Sequence, residues 1–120
     1  MLEVTEDLIF THKTGKYQAA PAGWHGHITD PIMTWDHAIT AASKYVGASY
    51  HKWYLPDLGV LNSMYEQLHK NDIGDFCDQA YWSSEIDPVS QDGWCQYFDY
   101  GIQYNNSKKL EHYVRPVRII

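Results

Sequence analysis

The sequence predicts an α+β fold in which two helices are followed by a twisted antiparallel β meander. Three observations carry this reading. Apolar residues recur twice at helical spacing: Trp35, Ala38, Ile39, Ala42 and Tyr45, then Leu58, Leu61, Met64 or Tyr65, and Leu68. After the turn Asn71-Asp72-Ile73-Gly74-Asp75 the period changes from 3.6 to 2. The last third then sets large anchors at Tyr81-Trp82-Ser83-Ser84, Gly93-Trp94, Phe98, Gly101 and Val114-Arg115-Pro116-Val117-Arg118, with flat polar residues between them.

In chain order, Leu8-Ile9-Phe10 reads as a strand and Lys13-Thr14-Gly15-Lys16 as the turn of a hairpin. Residues Ala20 to Pro31 carry Pro and Gly without periodicity, which predicts a loop. The first helix starts with Thr34 as N-cap and Asp36 near the positive end of the dipole, and Gly47 ends it. Trp53-Tyr54-Leu55 is a short strand closed by Pro56, and Asp57 caps the second helix, whose C-terminus carries His69 and Lys70. Four strands follow: Tyr81 to Ser84, Gly93 to Tyr100, Ile102 to Asn105, and Tyr113 to Ile119. Alternation in the second of these turns Trp94, Gln96 and Phe98 one way, with the large apolar residues toward the core, and Cys95, Tyr97 and Asp99 outward unless a second layer covers them.

The 120 residues suffice for a single domain, spanning 1–120, with one core. A net charge of -6 argues against a nucleic-acid or anionic-membrane surface, which needs clustered Lys and Arg. No apolar run reaches the length of a membrane span, and Met1 to Phe10 lacks the apolar region of a secretory signal. Two cysteines, Cys77 and Cys95, permit one disulfide, but free thiols suit a chain without a signal. An aromatic-rich core accounts well for five Trp but less well for ten Tyr, since each buried Tyr hydroxyl needs a partner or water.

The motifs Thr34-Trp35-x-x-Ala38, Trp53-x-Leu55-Pro56, Leu61-x-x-Met64-Tyr65, Tyr81-Trp82-Ser83-Ser84, Trp94-x-x-x-Phe98 and Val114-Arg115-Pro116-Val117-Arg118 have a family look. In this order, over roughly Thr5 to Arg118, the chain resembles the C-terminal domain of collagen-like bacterial adhesins, the Lcl C-terminal domain. The resemblance implies a C-type lectin-like fold, related in shape to formylglycine-generating enzymes. It also implies a role like that of adhesins, phage tail proteins or the variable proteins of diversity-generating retroelements. In diversified members the varied positions lie between the Trp and the Val-Arg-Pro-Val-Arg block. Here those positions are Cys95, Tyr97, Asp99, Tyr100, Ile102, Tyr104, Asn105, Asn106, Ser107 and His112. Two residues depart from the family pattern: Tyr54 stands where an Arg is usual, and Val60 where Glu is frequent. A family-typical buried ion pair is thereby in question, and Arg115 and Arg118 are expected to pair elsewhere, for instance with Glu85 or Asp87.

The expected function is non-catalytic recognition of a protein or glycan receptor on a target cell, with no cofactor and no metal. The expected contact set is Cys95, Tyr97, Asp99, Tyr100, Ile102, Tyr104, Asn105, Asn106 and His112; Tyr, Asn and Asp at a surface resemble an antibody paratope in composition. Adhesive relatives tend to form trimers, so a homotrimer is the expected assembly. Its place would be a virion tail or cell surface within a larger assembly, and otherwise the cytoplasm. Glu85, Asp87, Asp92 and Asp99 could be calcium ligands, but the tripeptides of calcium-dependent sugar binding are missing and a solvated acidic loop is favoured. His25-Gly26-His27 has no visible third ligand. Two alternatives stand beside recognition: an oxidase resembling formylglycine-generating enzymes and using Cys77 and Cys95, and a small acidic phage protein that inhibits a host factor.

Overall fold

A computed structural model describes residues 8–47 and 52–120. Thr5, where the family resemblance begins, lies outside them. Leu8–His12 (β1) and Gly15–Ala19 (β2) form the hairpin, with Leu8, Phe10, Tyr17 and Ala19 turned inward. The last strand of the chain, Val117–Ile119 (β8), pairs antiparallel with β2 and completes a three-stranded sheet ordered β1-β2-β8. A second sheet has five strands: Ile32–Met33 (β3), Ala80–Ile86 (β4), Gly93–Tyr97 (β5), Gln103–Asn106 (β6) and His112–Tyr113 (β7). Their order is β3-β7-β4-β5-β6.

The α+β class holds, with two helices, Trp35–Lys44 (α1) and Leu58–Gln67 (α2). The simple meander does not hold. Only β4-β5-β6 runs as one; β7 crosses to the far side of β4 and pairs with it in parallel at Tyr81 and Tyr113. Three strands also precede the helices. The closing segment is two strands rather than one, because Val114-Arg115-Pro116 leaves the sheet between β7 and β8. Pro116 has no N–H to give a ladder, and its carbonyl instead accepts from Ala20 N at 2.9 Å.

The helices form where the spacing predicts, with ends set by specific contacts. In α2, Asp57 Oδ1 accepts from Val60 N at 2.8 Å and Glu85 Oε2 from Leu58 N at 2.9 Å, so two orphan donors of the first turn are satisfied. Thr34 occupies the N-cap of α1 without a side-chain bond. α1 stops at Lys44, ahead of Gly47, because Tyr45 turns extended and packs edge-on against Trp24 and Trp53, at 5.7 and 5.0 Å.

Alternation along β4 divides the core into two. Tyr81 joins Phe98, Leu61, Met64 and the hairpin on one face; Ala80 and Trp82 join Trp35, Ala38, Ala42 and Cys95 on the other. Three indoles tie the second half together by donating to backbone carbonyls: Trp24 to Val114, Trp35 to Ser83 and Trp82 to Met33, at 3.0, 2.9 and 2.8 Å.

A buried ion pair links the halves, with a partner the sequence did not suggest. Arg115 Nε donates to Asp30 Oδ1 at 2.8 Å, and neither side chain is solvent-accessible. Its other nitrogens reach Ala20 O and Asp75 O, and the guanidinium lies 4.0 Å from the Phe76 ring centroid. The Tyr81 hydroxyl donates to the second Asp30 oxygen at 2.5 Å. Burial raises the Asp30 pKa, and Arg115 pulls against that rise. Glu85 and Asp87 are occupied elsewhere, and Arg118 donates to Gln18 Oε1 at 2.8 Å.

Candidate recognition face

Register decides which of the expected contact residues share a surface. β5 and β6 pair Gly93 with Asn106, Trp94 with Asn105, Cys95 with Tyr104, and Gln96 with Gln103. Side chains alternate, so Cys95, Tyr97, Tyr104 and Asn106 lie on one face and Trp94, Gln96, Gln103 and Asn105 on the other. His112 of β7 reaches the first face beside Asn106, with Nε2 to Nδ2 3.0 Å apart. Tyr97 meets Tyr104 edge-on at 5.7 Å and lies 6.3 Å from the His112 ring. Asn105 is separated from this group and leans toward Ser90.

Cys95 departs from its expected outward display. It is fully buried, because Trp35 and α1 form a second layer over that part of the sheet. Trp94, expected in the core, is only half-buried, and Gln96 is the buried residue on its face. The Gln96 amide is satisfied by donating to Asn62 Oδ1 and Gly101 O, at 2.8 and 3.1 Å. β5 ends at Tyr97, so Phe98 is buried from the turn that follows and not from the strand.

That turn carries the most exposed part of the set. Phe98 anchors it among Tyr65, Phe76 and Tyr81. Gly101 N donates to Tyr97 O at 2.7 Å and Tyr97 N to Ile102 O at 2.8 Å, which closes the loop. Gly101 has φ +85, and a Cβ there would stand 2.6 Å from the Tyr65 ring. Only glycine fits both demands. Asp99 accepts from Tyr100 N at 2.8 Å and holds the tip. Tyr100, Ile102 and Tyr104 are 80%, 48% and 51% exposed.

The chemistry available on this face is hydrogen bonding and apolar contact. The Asn106 amide donates to Cys95 Sγ at 3.3 Å and meets His112 Nε2. The Asn106 amide and the His112 ring are thus joined by one hydrogen bond. Burial lowers the His112 pKa, which favours the neutral imidazole. Burial also pushes the Cys95 thiol up to about 11, against the pull of the Asn106 bond, so the sulfur is protonated at neutral pH. The Asn106 amide stands between the two, bonded to the Cys95 thiol on one side and to the His112 ring on the other.

Other groups weighed in the sequence lie apart. Cys77 and Cys95 are unbridged, and they pack against opposite halves of the core. Glu85 caps α2, and Asp87 accepts from Val89 N, Ser90 N and Ser90 Oγ within its own turn. The His25 and His27 rings are 6.2 Å apart and exposed. Among the described residues, no group of three His, Cys, Asp or Glu side chains could hold a metal ion. The link between Asn106 and His112 was hidden in the sequence, since five residues separate them and no periodicity relates them.

No family model matches the chain, and no curated protein matches it. No helix among the described residues is long and apolar enough to cross a membrane.

Proposed function

We propose that this chain is a non-catalytic recognition domain that binds a protein surface through the β5–β6 turn and the adjoining sheet face. The observation that carries the proposal is the high exposure of Tyr100 and Ile102 on a turn anchored by Phe98 and Gly101, next to the exposed Tyr104 of β6. Large aromatic and apolar side chains held in place bind with little further loss of entropy. Tyr97, Asp99, Asn106 and His112 add polar groups around them. The partly buried members, Tyr97, Asn106 and His112, form the floor, and the turn forms the contact edge.

The resemblance to Lcl C-terminal domains agrees with this reading. Through it, a C-type lectin-like fold in a phage tail protein, an adhesin or a retroelement-diversified variable protein is proposed. A trimer is part of the same proposal, and light scattering giving a monomer mass would count against it. The direct test compares pull-downs from lysates of candidate target cells, using the wild type and a Tyr100→Ala, Ile102→Ala, Tyr104→Ala variant. All three positions are exposed, so the variant should keep the wild-type melting temperature and lose the captured species. Undiminished capture would move the binding face elsewhere.

A further inference from the structure

A cleft of about 730 Å³ opens between α1 and the loop that leads into β3. That size lies in the range that takes small organic ligands. It is lined on the apolar side by Trp24, Met33 and Tyr45, of which Trp24 and Met33 also belong to the buried core. Its polar side is made by His25 from the loop and by His37 and Lys44 from α1, all three exposed. His37 and Lys44 stand seven residues apart and so share one face of the helix, opposite the buried Ala38 and Ala42. Among the described residues, His25, His37 and Lys44 have no hydrogen-bond or ion-pair partner.

The charge of the cleft runs against that of the chain. The sequence carries a net charge of -6, yet no Asp or Glu is among the described residues that line this space. A single ammonium and two imidazoles beside an aromatic wall suit an anionic group joined to a flat apolar body. The cleft lies by β3, one edge of the five-stranded sheet, whereas β6 and its recognition face form the other edge. The exposed turn residue Tyr100 lies at that far edge, although Met33 of the cleft is the register partner of His112 on the recognition face.

We infer that this cleft binds a small organic carboxylate, its aromatic or apolar body against Trp24, Met33 and Tyr45 and its carboxylate met by Lys44, His37 and His25. The test uses a matched pair of fluorescent probes, pyrene-1-butyrate and the uncharged pyrene-1-butanol, titrated into the full chain. The butyrate should bind saturably, one per chain, about fivefold or more tightly than the alcohol, as one ion pair near a surface supplies roughly 1 kcal/mol. Lys44→Gln should bring the butyrate down to the affinity of the alcohol and leave the alcohol unchanged. Thr40→Trp, an exposed position on the cleft wall, should abolish binding of both, and Tyr100→Ala should affect neither. Melting temperatures of the variants separate loss of binding from loss of fold, and His37→Gln serves in place of Lys44→Gln if the latter is destabilised. Absence of saturable binding, equal affinity for the two probes, or full butyrate binding by a folded Lys44→Gln protein would each overturn the inference.

Discussion

Replacing Arg115 by Met isolates the buried ion pair, because the linear side chain keeps much of the volume and removes only the guanidinium. Three hydrogen bonds disappear, to Asp30 Oδ1, Ala20 O and Asp75 O, together with the stacking on Phe76. Asp30 keeps the Tyr81 hydroxyl but has no cation, and its side chain has no access to solvent. Breaking a buried pair on one side costs about 3–5 kcal/mol. That is a large fraction of the roughly 5–15 kcal/mol that stabilises an ordinary domain. Taking about 4 °C per kcal/mol for a chain of this size, the melting temperature should fall by roughly 12–20 °C. Urea denaturation followed by circular dichroism measures the difference directly.

The pH dependence of that difference is the sharper test. Burial already raises the Asp30 pKa above its ordinary 3.8, and Arg115 opposes the rise. Without Arg115 the folded-state value climbs further, so the folded variant takes up a proton before the unfolded chain does. The cost of the substitution is then greatest above the folded pKa and shrinks as pH falls toward the unfolded one. The double variant Arg115→Met, Asp30→Asn removes the charge and should be more stable at pH 7 than Arg115→Met alone. A loss below about 1 kcal/mol, or a gap that does not change between pH 7 and pH 4, would refute the account, since a surface pair behaves that way.

Gly93→Ala should cost about 1–3 kcal/mol by overpacking: its Cβ would lie 2.6 Å from Trp35 Cδ1 and 2.9 Å from Trp82 Cζ3. Both rings are pinned through their N–H groups, so neither retreats freely; the melting temperature reads the effect. His112 has a folded pKa lowered below the ordinary 6.5 by burial, so the unfolded state binds its proton first. Wild-type stability should therefore fall as pH drops through 6.5 toward the lower folded value, and His112→Gln should reduce that slope in parallel urea titrations. Of the two thiols, Cys77 should react with a colorimetric disulfide reagent in the native protein, and Cys95 only on unfolding, because it is fully buried with its pKa pushed up to about 11. Rapid native modification of Cys95, read by mass spectrometry, would contradict its burial.

The reading of local structure succeeded where the determinant was local. Asp57 caps α2 as its position suggests, and the apolar stripe from Leu61 to Leu68 faces the core, with Met64 and Tyr65 both buried. Local pattern loses its hold where a second layer intervenes. Alternation identifies Cys95 and Tyr97 as neighbours on one face, but it does not say that Trp35 and α1 cover the first and leave the second half-exposed. Likewise the Val114–Arg118 block was legible as a fixed element, while the charge that fixes it, Asp30, sits 85 residues away in a stretch that reads as loop.

From the sequence by itself follow the α+β class, both helices and the hairpin, because spacing, capping and turn chemistry act within a few residues. Tertiary structure alone decided that β7 crosses β4 to lie in parallel with it, that Asp30 is the partner of Arg115, and which contact candidates reach the surface. Those outcomes depend on which layers meet, and long-range packing leaves no periodic trace in the chain. The anchors of the last third thus fix the turn and the strands beside it, and among the contact candidates the fold leaves Tyr100, Ile102 and Tyr104 exposed while burying Cys95.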